Sequence, residues 1–127
     1  MSEIILRSQS TYNYYLNFLD CLSDIAHPEY PGKFWVDEDG YECYAEYSEM
    51  YNCFMDSCEY ILEWKPLSTK QRQKLQKLCE MLEDYEEYLP DRKKTDDEIR
   101  ADPKWDKIRK FAQTLYEELR HVRLISE

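Results

Sequence analysis

The chain has 127 residues, 43% of them apolar and 35% charged, with a net charge of −10 at neutral pH. That length supports a single domain, 1–127, with a core of its own, and the apolar content argues against wholesale disorder. Two glycines are too few for an all-β fold, while the absence of a long apolar run or a secretory pattern at Ser2 to Arg7 leads us to expect a soluble, cytoplasmic protein without membrane contact.

Taken in chain order, Ile4-Ile5-Leu6 is too short to classify, and either extends the first helix or lies as an apolar arm on the fold. The spacing of Tyr12, Tyr15, Leu16, Leu19, Leu22, Ile25 and Ala26 predicts a helix over 11–26, capped by Ser10 or Thr11 and ended at His27-Pro28. From Pro28 to Gly40 the prolines, the glycines and the triplet Asp37-Glu38-Asp39 read as an ordered loop anchored by Phe34 and Trp35. A second helix is predicted over 41–64 and is stopped by Lys65-Pro66, because the residue before proline is pushed out of the α region.

Ser68 or Thr69 caps a third helix over 69–89, with Leu75, Leu78, Cys79, Leu82, Tyr85 and Leu89 inward. Thr95-Asp96-Asp97-Glu98 fits a capping box and predicts a short helical turn near 96–101. Asp102-Pro103 then supplies a cap and a first-position proline for a helix over 103–122. These elements predict an all-α fold, either an antiparallel bundle or an irregular array of four main helices.

The charge is distributed unequally. Residues 1–64 hold two basic and thirteen acidic residues, whereas residues 65–127 hold fifteen basic and fourteen acidic. On a wheel of about 100° per residue, Glu42, Glu46, Glu49, Asp56 and Glu63 share one face of the second helix with Cys53 and Tyr60. Like charges at i,i+3 and i,i+4 each cost a helix a few tenths of a kcal/mol, and no basic residue within it offsets them. A solvated face is one reading of this stripe. The adjoining Asp37-Glu38-Asp39 and the aromatics Trp35, Tyr41 and Tyr60 favour the other, an interface for arginine and lysine in which charge speeds encounter and aromatic rings anchor. The candidate partner-binding residues are therefore Trp35, Asp37, Glu38, Asp39, Tyr41, Glu42, Glu46, Glu49, Asp56, Tyr60 and Glu63.

Little else points to chemistry. An EF-hand begun at Asp37 would place Gly40 two positions early and Ser48 where a bidentate glutamate belongs. The five cysteines never form Cys-x-x-Cys, and His27 and His121 lie near predicted helix ends, so no metal or other cofactor is expected and the cysteines read as reduced core thiols. No phosphate loop, nucleophile elbow or Glu-x-x-His pair occurs, which argues against an enzyme. The acidic balance argues against direct nucleic-acid binding, and Asp102 and Asp106 interrupt the basic cluster Lys104, Lys107, Arg109 and Lys110.

Small size, acidity, cysteines without a disulfide framework, aromatic richness and the lack of a catalytic signature resemble the immunity proteins of bacterial toxin systems, including contact-dependent growth inhibition. The likeness is one of overall character, with no shared motif. It implies a cytoplasmic, non-enzymatic inhibitor whose carboxylates enter or rim the basic cleft of a toxin domain acting on nucleic acid. Two other functions fit the same charge pattern: a nucleic-acid mimic that blocks a defence protein, and an assembly or adaptor subunit.

Overall fold

A computed structural model describes residues 4–31, 34–44, 46–88 and 95–125. Its elements are β1 (Ile4–Leu6), α1 (Gln9–Ala26), β2 (Phe34–Val36), β3 (Glu42–Tyr44), α2 (Tyr47–Ile61), α3 (Thr69–Tyr88), α4 (Asp96–Arg100), α5 (Pro103–Leu119) and β4 (Val122–Leu124). The fold is mostly helical, as expected. α1 packs on α2 and α5, α3 packs on α5, and the α2–α3 seam is the loosest of the four.

Each long helix supplies a stripe to one shared core. Tyr15, Phe18, Leu22 and Ile25 of α1 meet Phe54, Cys58 and Ile61 of α2, Leu75, Leu78 and Leu82 of α3, and Trp105, Ala112, Leu115 and Leu119 of α5. The one hydroxyl deep in the α1 stripe is satisfied locally: Tyr15 Oη donates to the Leu119 carbonyl at 2.8 Å, occupying an acceptor that the end of α5 leaves free. Burial raises the Tyr15 phenol above its usual range.

The first helix starts earlier than expected, at Gln9 instead of residue 11, because Ser8, and not Ser10 or Thr11, caps it and accepts the Thr11 amide N–H. The caps read for the later helices form. Ser68 Oγ accepts the Gln71 amide N–H, and Gln71 Oε1 accepts that of Ser68. Thr95 and Glu98 make the same reciprocal box, and the Asp102 side chain accepts the Lys104 amide N–H with Pro103 opening α5. Arg72 caps in the other direction, its guanidinium donating to the carbonyls of Leu62 and Trp64 where α2 ends.

Other expectations are corrected. The second helix begins at Tyr47 instead of residue 41, because Glu42–Tyr44 pairs antiparallel with Phe34–Val36. The Asp37 carboxylate accepts the amide N–H groups of Asp39 and Tyr41, at 3.0 and 2.9 Å, and Gly40 takes φ +87°, a conformation that disfavours side chains. The segment expected to be a loop is thus half of a hairpin. Ile4–Leu6 is neither helix nor unpaired arm: it is a strand, parallel to Val122–Leu124, and α5 accordingly ends at Leu119. Leu89, the expected last residue of the third helix, lies outside the described residues.

The expectation of reduced core cysteines is also overturned. Cys21 is bonded to Cys53, joining α1 to α2, and Cys58 to Cys79, joining α2 to α3. Cys53 and Cys58 are five residues apart on a helix that turns about 100° per residue, so they face different neighbours. The side chain of Cys43 lies outside the described residues.

Candidate functional site: an acidic ridge between two grooves

With α2 starting at Tyr47, the expected stripe divides. Glu42 belongs to β3, and Glu46 is the N-cap residue of α2, though its side chain makes no capping hydrogen bond. Glu46 and Glu49 therefore sit at the electropositive end of the helix, where carboxylates are favoured, and the repulsive Glu42/Glu46 helix pair does not exist. Glu49, Asp56 and Glu63 remain on the outer face, all exposed, with Glu63 in the turn that follows the helix.

Asp37, Glu38, Asp39 and Tyr41 are exposed in the hairpin, and Asp37 is occupied in shaping its turn. Tyr41 is 70% exposed. Trp35 lies in β2, and its side chain is outside the described residues. The hairpin residues belong to a different element from the helix face, so the eleven candidates divide between two places.

Two grooves flank the α2 ridge. Toward α1, Ser10, Thr11, Tyr14, Tyr60 and Trp64 line one of about 350 Å³. Tyr14 and Tyr60 meet edge to face with ring centroids 5.9 Å apart, and Trp64 lies 5.9 Å from Tyr14. Tyr60 is 63% exposed. Partial burial raises the Tyr14 phenol, with Tyr60 and Asp56 adding to the rise, so the aromatic groove and the acidic ridge share one electrostatic neighbourhood.

Toward α3, Met55, Asp56, Cys58, Glu59, Leu62, Cys79 and Glu83 line a groove of about 340 Å³. Further along the same seam Tyr51 is half-buried, and its phenol is raised by burial and then by Glu86, Glu83 and Glu87. Carboxylates from α3 thus crowd the flank of α2. Among the described residues, Glu49, Asp56, Glu59, Glu63, Glu80, Glu83 and Glu87 are in no ion pair. Elsewhere opposite charges do pair, as Asp106 does with Arg109 at 2.6 Å and Lys110 at 3.0 Å, which holds its carboxyl below the usual range.

Sequence reasoning missed Glu59, Glu80, Glu83 and Glu87, and with them Tyr14 and Trp64 as groove residues. The signal was present in α3. Residues 69–79 hold four basic residues and no acidic one, whereas residues 80–88 hold five acidic and no basic one, and a sum over half the chain cancels the two. This order opposes the helix dipole, which favours acids at the start and bases at the end. On its other flank α3 faces lysines of α5: Met81, Asp84, Tyr85 and Tyr88 of α3 line a groove with Lys104, Lys107 and Ile108 of α5, where Lys104 lies 3.7 Å from the Tyr88 ring centroid.

One carboxylate of α1 is also perturbed. Burial, and then the neighbouring Asp20, raise the Asp24 carboxyl above its usual range, while His27 opposes them. A carboxyl raised by folding contributes stability below its unfolded pKa and loses it as pH rises through the folded one. Asp24→Asn should therefore raise the thermal midpoint at pH 7 and leave it unchanged near pH 2.5; equal shifts at both values would refute this cause.

No family model, curated protein or solved structure matches this chain. Among the described residues no cluster of side chains could hold a metal ion, and no helix is long and apolar enough to cross a membrane.

Proposed function

We propose that this chain is a non-enzymatic acidic binding protein that covers a basic protein surface with its α2 ridge. Its partner is a toxin domain acting on nucleic acid, held inactive by this chain as an immunity protein of the contact-dependent growth inhibition type. The observation that carries the reading is the set of exposed carboxylates of α2 and α3 that make no ion pair, beside the exposed ring of Tyr60 and the half-buried rings of Tyr14 and Trp64.

Nucleic-acid-cutting domains hold phosphates in basic clefts, and successive carboxylates on a helix can occupy the same sites. Unpaired charge at a rim accelerates encounter, and aromatic side chains then supply affinity by leaving water. The chain itself contacts neither nucleic acid nor membrane, since its own charge repels both polyanions and anionic headgroups. The proposed setting is the cytoplasm.

The test is association with a toxin domain encoded beside this chain's gene. Combined Glu49→Lys, Asp56→Lys and Glu63→Lys substitutions should weaken binding about a hundredfold, taking roughly 1 kcal/mol per exposed charge. The association rate should also lose most of its dependence on salt. Unchanged affinity with an intact helical spectrum would remove the ridge from the interface.

A further inference from the structure

The α2–α3 groove has a form that the ridge lacks. Tyr51, Met55, Cys58 and Leu62 follow one another at i, i+4, i+7 and i+11, the spacing of one helix flank. Cys58 is buried against Cys79, while Tyr51, Met55 and Leu62 are each half-buried, so the apolar floor is accessible from outside along most of its length. The span from Tyr51 to Leu62 makes that floor about 17 Å long. Above it stand Asp56 and Glu59 on one wall and Glu83 on the other, and Glu80 and Glu87 lie one turn to either side of Glu83 on the exposed surface of α3.

We infer that this groove receives a basic amphipathic helix of the partner, about three turns long, whose apolar stripe lies on Tyr51, Met55 and Leu62 and whose lysines and arginines reach carboxylates on both walls. The inference rests on the reading of the partner as basic and names the segment that binds.

Geometry favours a helix over an extended strand. The groove is bounded by two helices whose backbone groups are already bonded, so it offers a strand no ladder of partners, whereas a helix brings its own hydrogen bonds and needs only side-chain contact. A third helix seated in such a seam packs ridge into groove at about 8–10 Å. Met55 supplies the flexible contact that adapts to an incoming apolar stripe. Charge selects the flanks: carboxylates on both walls attract cationic side chains, whose aliphatic stems cover apolar floor while their heads reach the rim. The groove on the opposite side of α3 carries Lys104 and Lys107 against the single carboxylate of Asp84, so its net positive charge disfavours the same helix and it serves as an internal control.

The probe is a fifteen-residue peptide of leucine and lysine with its leucines at helical spacing, compared with a scrambled peptide of the same composition. Methyl NMR of the methionines reads where it binds, because Met55 lines this groove, Met50 is buried in the core and Met81 lines the basic groove. The patterned peptide should move the Met55 signal and leave Met81 in place, and Glu59→Lys with Glu83→Lys should weaken it about tenfold or more. Glu49→Lys with Glu63→Lys, on the outer ridge, should weaken it no more than about threefold.

Equal binding of the scrambled peptide, a silent Met55 or a shifted Met81 overturns the inference. The failures of the two readings are distinguishable. If Glu49→Lys with Glu63→Lys weakens the toxin domain while Glu59→Lys with Glu83→Lys does not, the groove assignment falls and the basic partner stands. If the peptide binds the groove but no reversal affects the toxin domain, the proposed function falls.

Discussion

Trp105→Ala should lower the free energy of unfolding by about 3–5 kcal/mol, the range for removing a large buried aromatic side chain. Trp105 is only 1% exposed. Its ring lies 5.6 Å from that of Tyr47 and 5.5 Å from that of Tyr85, so one side chain of α5 joins α2 to α3 at the end of their seam. Those tyrosines are themselves fixed: Tyr47 Oη donates to Glu86 Oε2 at 2.8 Å, and Tyr85 Oη donates to Asp102 Oδ2 at 2.9 Å. Burial, followed by the accepting carboxylate, raises both phenols, so both donate as neutral hydroxyls at physiological pH. The indole N–H of Trp105 has no acceptor among the described residues, which makes its contribution one of packing. Trp105→Phe should therefore recover at least half of the loss. Urea unfolding with an unchanged slope and a lowered midpoint is the expected pattern; an alanine variant within 1 kcal/mol of the parent, on the scale of a typical substitution, would show that the seam does not depend on this ring.

Reduction of both cysteine pairs should have a larger effect, about 6–8 kcal/mol. The pairs Cys21–Cys53 and Cys58–Cys79 close segments with sequence separations of 32 and 21 residues, and the segments do not overlap. Chain-entropy arguments assign about 3–4 kcal/mol to each closure, and independent closures add. The purified protein, denatured without reductant, should present one titratable thiol, because four of its five cysteines are bonded, and five after reduction. Its thermal midpoint should fall steeply on reduction. Five thiols before reductant is added would restore the reading of cysteine as a small core hydrophobe.

The helices were legible because their signals are local. The recurrence of Leu75, Leu78, Leu82 and Tyr85 marks a buried stripe, and Thr95 with Glu98, like Asp102 before Pro103, names its own helix start. The strands were not legible, since three residues are too few to display alternation. Glu42–Tyr44 also fits the helical wheel of the residues that follow it, and only the turn made by Asp37 and Gly40 decides the matter. Pairing of Ile4 with Val122 joins residues that no local window compares.

The site was half legible for a related reason. Acidic residues on α2 stand out in a stretch nearly free of bases, whereas those ending α3 follow a basic turn and vanish from a regional total. Their meeting across the seam is a tertiary fact. So is the partnering of Cys58 with Cys79, because a cysteine five residues from another on one helix gives no spacing from which its partner on a neighbouring helix could be read.

The parallel pairing of Ile4–Leu6 with Val122–Leu124 also has a mechanical meaning. Because the strands run the same way, tension applied at residues 4 and 125 drags one along the other in opposite directions. The bonds from Ile4 N–H to the His121 carbonyl and from Ile125 N–H to the Leu6 carbonyl, 2.8 and 2.9 Å long, are then loaded together in shear with the ladder between them. An antiparallel pair pulled from one edge would open bond by bond, like a zipper. Threading machinery that grips either end of this domain meets the clamp first, and the helices behind it bear no load until it gives way.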